Sequence, residues 1–343
     1  MFSILSGRHA RAKPRRVTPA ARRGYTAPYM TTPPEPHTLV IHSLENDTLR
    51  LDVTPTLGAS IVNLCARTGD TWTPIMRDTT PELLARGSSS YLSSFTLAPY
   101  SNRIPGGRFA FEGRELHLKP NTREGNAQHG DVRNREHRAL EVGATRATYE
   151  FDARRVPDFN YPEPVVLHTT FELVGNAAVQ TLTLTNVGSA RVPAGVGVHP
   201  YFNRHVGGAA DVTLQFGAAG VYLTDTSLIP QHGMESLPPA LDFREGRVLG
   251  DLHLDTGFGG YEGRTILAYA GTPYRTVIES DAVFTHLILF TAPDDTLAVE
   301  PVTHATNAFN LHEQGVAGTG FTVLAPGESL SGSVTYRFEQ NAR

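Results

Sequence analysis

The chain has 343 residues, 40% hydrophobic and 19% charged, enough to bury one large β core or two ordinary ones. Residues 1–35 carry seven Lys or Arg against Glu35 alone, a net +6; with −4 overall, the remainder carries −10. An acidic body argues against a nucleic-acid partner, and no apolar run approaches the roughly 18 residues of a membrane helix.

The basic head, residues 1–37, lacks the apolar stretch of a secretory signal and loosely matches the Arg-rich composition of a transit peptide. The plainer reading is a disordered tail, or upstream sequence preceding a start at Met30, so the first strand is expected after residue 38. A single β-sandwich domain is predicted over 38–343. Cys65 is the only cysteine, which excludes an intrachain disulfide and suits a reducing, cytoplasmic setting.

From residue 38 onward the pattern has period two, broken by Gly, Pro, Asn and Asp. One short helix is predicted near 81–86, ending at Gly87. Phe109 and Phe111 alternate with polar residues, and Gly113 turns the chain into a return strand carrying Leu116 and Leu118. Leu167, Thr169, Phe171 and Leu173 line one side of a further strand; Leu182 and Leu184 mark the next, and Val334, Tyr336 and Phe338 close the chain. Alternation of this kind is what half-buried antiparallel strands require. There is no βαβ rhythm and no exact repeat. The fold class is all-β, a large antiparallel β-sandwich.

Several segments could carry chemistry. Asn102 and Arg103, in the polar run 98–107, offer fixed donors to neighbouring hydroxyls; on composition alone the simpler reading is a capped turn. His129 precedes Gly130, which lets backbone approach closely, although one histidine among fourteen is weak evidence. Asp255 sits in a glycine-rich stretch, where a turn former is the simpler reading. His199 lies in Val-Gly-Val-His-Pro-Tyr-Phe-Asn (196–203) and Glu300 in Ala-Val-Glu-Pro-Val-Thr-His (298–304), each in a strand-like run stopped by proline. Strand alternation through Leu297, Ala298 and Val299 makes burial of Glu300 plausible, and a buried carboxylate is expensive unless partnered or functional. Facing each other across a small cavity, a carboxylate and an imidazole can perform general acid–base catalysis without metal or cofactor. No metal-binding helix, serine elbow or phosphate loop is present. Lysine chemistry would have to use Lys119, just past a hairpin strand.

Taken together these segments resemble the aldose 1-epimerase (galactose mutarotase) family, in order, from about residue 38 to the C-terminus. The resemblance implies a galactose mutarotase-like supersandwich. It matches His199 to the catalytic acid, Glu300 to the catalytic base, and Asn102, Arg103, His129 and Asp255 to sugar-binding positions. Asn307 and Asn310 continue the last motif. Two departures concern the cleft: Asp131 follows Gly130 where the family commonly has Gly or Phe, and residues 135–138 lack a tryptophan often found there, Trp72 being the only one.

The implied function is interconversion of the α and β anomers of a free aldose such as glucose or galactose, with a monosaccharide as the partner. Glu300 is expected to start ionised and His199 protonated, each supporting the other. A monomer or weak homodimer is expected. The alternatives are a glycosidase using Glu300 and Asp255, whose carboxylates should then stand ~5–9.5 Å apart, and a carbohydrate-binding protein without turnover.

Overall fold

In the computed structural model, residues 39–340 are described; the basic head, residues 1–37, lies outside them. The protein is an all-β antiparallel sandwich. A nine-stranded sheet is centred on Val165–Val174, Ala177–Asn186, Ser329–Gln340 and Tyr274–Ser280. An eight-stranded sheet is built around Asp255–Gly259, His286–Thr291 and Thr296–Val302. A four-stranded sheet, His42–Glu45 through Thr71–Pro74, stands alongside. Side chains from all three meet in one apolar cluster that includes Leu51, Leu167, Leu182, Phe202, Leu289 and Val299.

The nine-stranded sheet follows the alternation expected of it. Leu167, Thr169, Phe171 and Leu173 are buried while His168, Thr170 and Glu172 are half-exposed, as period-two geometry dictates for a strand with one covered face. The hairpin Arg108–Phe111 with Arg114–His117 and the helix Pro81–Leu84, capped by the Thr80 side chain, also stand where predicted. A second helix, Ala308–Glu313, was not anticipated. Among the described residues, no helix is long and apolar enough to cross a membrane.

The eight-stranded sheet is covered on both faces, and this is what creates the site. Every residue of Thr296–Val302 is buried. Leu297 and Val299 point into the large core, whereas Ala298 and Val302 join Phe95, Tyr201 and Ile288 in a separate small cluster behind it. Glu300, in phase with Ala298 and Val302, therefore faces the same side as that smaller cluster.

Three histidines within this framework carry a pH dependence. His137, His286 and His304 are each only 2% exposed, and burial pulls all three down to about 4. An unfolded histidine takes its proton near 6.5. As pH falls from about 6.5 toward 4 the unfolded chain therefore binds more protons than the folded one, and each histidine subtracts up to roughly 3 kcal/mol. Glu300, raised by burial, acts in the opposite sense but is one group against these three and against His129 and His199, which burial lowers too. Chemical denaturation should give a lower midpoint at about pH 5 than at about pH 7; equal midpoints would show that these rings are not held neutral.

Candidate active site

The pairing register of the eight-stranded sheet brings His199 and Glu300 together. Gly197 is opposite Val302, and Tyr201 is opposite Ala298, so His199 falls opposite Glu300 where Pro200 interrupts the ladder. Directly opposed residues on one face are close neighbours. The side chains touch: His199 Nε2 lies 3.1 Å from Glu300 Oε1. The expected arrangement across a cavity is thus replaced by direct contact. The row continues on both sides. The His199 N–H donates to the Phe95 carbonyl (2.9 Å); Glu300 pairs with Ile288, Ile288 with Gly257, and Gly257 with Tyr222.

Asp255 lies two residues before Gly257 on the same face. It begins the strand Asp255–Gly259, which corrects the turn suggested by the glycines around it. Those glycines serve close approach: a Cβ on Gly257 would come within 3.1 Å of the Ile288 side chain, and one on Gly259 within 2.7 Å of Met234 Sδ.

Asn102, Arg103 and His129 come from two segments locked to each other. Arg103 pairs with Gln128. The His129 N–H donates to the Asn102 carbonyl (2.9 Å), and the Asn102 N–H donates back to His129 Nδ1 (3.2 Å). That second bond makes Nδ1 an acceptor, so the neutral ring carries its proton on Nε2. Burial first, then His199 and the nearby arginines, push His129 well below the usual imidazole range. Arg103 reaches Asp255 Oδ2 (3.4 Å) and donates to Asn102 Oδ1 (3.2 Å). Behind this segment the Ser101 N–H donates to His304 Nε2 (3.1 Å).

Three non-glycine residues with left-handed backbone gather here: Asn102 (φ 52°), His129 (φ 62°) and Asn307 (φ 60°). Such conformations persist only where the surroundings over-determine them, and they cluster at functional sites. The Asn307 N–H donates to the Arg103 carbonyl (3.0 Å), which ties the start of the second helix to the site.

A cleft opens beside the row, lined by Asn102, Arg103, Tyr222, Thr224, Leu228, Pro230, Asp255, Gly257, Ile288 and Thr306. His129, His199 and Glu300 are not among its lining residues. They lie deeper, at 5%, 6% and 2% exposure, and Glu300 is the cross-strand neighbour of the lining residue Ile288. Glu300 Oε2 and His199 Nδ1 are buried with no hydrogen-bond partner. Among the described residues, no group of three or more His, Cys, Asp or Glu is arranged to hold a metal ion.

The electrostatics differ from expectation. Burial, reinforced by Asp255 and opposed by Arg103, raises Glu300 well above the usual carboxylate range. Burial, reinforced by Arg133 and Arg77, lowers His199 well below the usual imidazole range. Both effects favour a neutral carboxylic acid beside a neutral imidazole over the ion pair expected from sequence. The reason is desolvation, which penalises the charged form of each group in a dry site. The two forms hold the same number of protons and differ only in which side of the 3.1 Å contact one of them occupies.

The two departures from the family pattern are structural. Asp131 accepts from Arg135 (2.8 Å) and from the Asn160 N–H (2.9 Å), bracing the turn beyond Gly130. His137 is buried against Phe151, and Trp72 stacks with Arg67 in the four-stranded sheet. Aromatic walls are supplied by Phe95 and Tyr201, both packed on His199, and by Tyr222 in the cleft lining.

The family model for aldose 1-epimerase matches residues 40–337. The chain belongs to the aldose 1-epimerase family. It is similar to the uncharacterized protein YphB of Escherichia coli (strain K12), 27% identical over 314 residues, covering 88% of this chain and 99% of that one. A solved structure from Escherichia coli K12 superposes with a TM-score of 0.75 at 26% identity, covering 88% and 99% of the two chains. The galactose 1-epimerase of Lactobacillus acidophilus NCFM superposes at 0.69 with 18% identity, covering 92% and 98%; this likeness shows the fold. Family membership and the Escherichia coli structure, itself named a putative aldose 1-epimerase, support a mutarotase-type epimerase.

Proposed function

We propose that this member of the family interconverts the α and β anomers of free aldoses of the glucose or galactose type by acid–base ring opening. The observation that carries the reading is the buried contact between His199 and Glu300, each with a second polar atom left unpartnered. Anomer exchange moves protons at O1 and O5 of a pyranose. Both oxygens are bonded to the same carbon, so the groups that serve them have to be neighbours.

In the forward direction Glu300 as carboxylate takes the O1 proton while His199 as imidazolium gives one to O5. The C1–O5 bond breaks, C1=O1 forms, and the open-chain aldehyde is left beside a neutral acid and a neutral imidazole. After rotation about C1–C2, His199 removes the O5 proton, O5 adds to the other face of C1, and Glu300 returns a proton to O1. The neutral pair favoured by burial is the state that meets the aldehyde, which lowers the penalty of the open-chain intermediate. Asn102, Arg103, His129 and Asp255 hold the hydroxyls that do not react. Because Glu300 touches an imidazole and Asp255 engages Arg103, anomer exchange suits the site better than glycoside hydrolysis. The test is NMR exchange spectroscopy on a panel of free sugars with and without the protein. Binding without faster exchange would leave only a carbohydrate-binding role.

The shifts also set the pH profile. The pair is active while it holds its shared proton inventory. It gains a further proton only below the usual imidazole value and loses one only above the usual carboxylate value. After subtraction of the uncatalysed rate, the acid limb of kcat/KM should fall only below about 6.5. An acid limb centred above that value would contradict the lowered His199.

A further inference from the structure

His199 is the centre of a stack. Phe95 stacks on its ring (centroids 4.5 Å apart, 23° between planes) and Tyr201 packs against it (4.7 Å, 34°). The Arg133 guanidinium stands 5.1 Å from the Phe95 centroid and that of Arg77 3.5 Å from the Tyr201 centroid. Each cation thus lies against a ring that packs on the imidazole. Both are tied to one residue: Arg77 donates to the Ser90 carbonyl (3.2 Å) and Arg133 to the Ser90 hydroxyl (3.1 Å). Arg77 also pairs with Asp294 (2.7 Å). The other charged or titratable groups near the imidazole are Glu300 at Nε2, His129 edge-on at 5.3 Å and Arg103.

We propose that Arg133 and Arg77 are positioning residues for anomer exchange, fixing the plane of the His199 ring and pressing positive charge on it through Phe95 and Tyr201. A cation on an aromatic face is attracted to that face, so each guanidinium holds in place a ring that packs on the imidazole. The clamp leaves His199 one orientation, with Nε2 toward Glu300. The same two charges disfavour an imidazolium near them, which speeds proton delivery to O5 and offsets the pull of Glu300. Neither arginine has to touch the sugar. The catalytic role of the stack rests on the anomer-exchange reading; its hold on His199 does not.

The experiment is ¹⁵N NMR of the His199 ring in the full chain, parent against Arg133→Met and Arg133→Lys, followed across pH. Methionine keeps the stem and removes the charge. The expected result is that the Arg133→Met ring binds its proton roughly threefold to tenfold more tightly than the parent's, with the acid limb of kcat/KM moving by the same factor. Arg133→Lys should restore the charge effect but not the planar stacking. Should Arg133→Met fail to fold, Ser90→Ala loosens Arg133 while leaving the carbonyl used by Arg77. If parent and variant titrations superimpose, or their ring spectra coincide where no titration occurs, the proposal is overturned. A shifted His199 in a protein that never accelerates anomer exchange would instead overturn the functional reading and leave the clamp standing.

Discussion

Glu300→Gln and His199→Asn are each expected to lower kcat for anomer exchange by about 10²–10⁴-fold, the span of a single general acid or base, with little change in KM. Glutamine keeps the shape of the neutral acid and can still meet Nε2, but cannot shuttle a proton. Since burial already favours an uncharged Glu300, this substitution should not destabilise the fold, so lost activity will report chemistry. Asparagine at 199 removes the ring that packs on Phe95 and Tyr201 and needs a stability control. The double variant should be no slower than the worse single one, because two groups passing protons through one intermediate act as a unit. Polarimetry on freshly dissolved α-anomer measures all three. Full activity in either single variant removes that residue from the mechanism, and losses that multiply in the double variant mean that the two act independently.

The strands with one solvated face were legible because each side chain reports its own surroundings. Leu167 to Leu173 shows this, as does the hairpin around Gly113. Thr296–Val302 was harder, being buried on both faces, yet the isolated carboxylate inside an apolar run marked Glu300. What could not be read was register. Nothing local states that 199 stands opposite 300; this follows from the pairing of Gly197 with Val302 and Tyr201 with Ala298. The same limit hid the stack around His199, whose five members are scattered from Arg77 to Tyr201. Asp255 was misplaced in a turn because its glycines were weighed for flexibility, whereas two of them clear space for Ile288 and Met234. The helix Ala308–Glu313 is too short to show a period, and it begins from a left-handed asparagine. The protonation state of the pair is not legible in the sequence, because desolvation depends on packing that spacing does not reveal.

Gly130→Ala is expected to cost about 3 kcal/mol or more and to disable the sugar site as well. Gly130 has φ +67°, where any L side chain is strained, and its Cβ would lie 1.7 Å from the Ala98 carbonyl oxygen and 2.2 Å from its carbon. That carbonyl cannot swing aside, because it accepts the Asp131 N–H (3.1 Å) and belongs to the bridge between Ala98 and Gly130. The obstacle is backbone, so one of the two segments has to move. His129 precedes the glycine, and its Nδ1 accepts the Asn102 N–H; moving either segment therefore displaces His129 from His199 and Asn102 from the cleft. A displacement near 1 Å at reacting groups costs on the order of 10²-fold in rate. Gly113→Ala is the control: its φ is similar, +72°, but nothing lies within 4 Å of its Cβ. It should show the conformational strain alone, about 1–2 kcal/mol, with normal kinetics. Denaturation and kcat/KM on the two variants separate close approach from strain, and equal losses in both would show that the contact between Gly130 and Ala98 has no special weight.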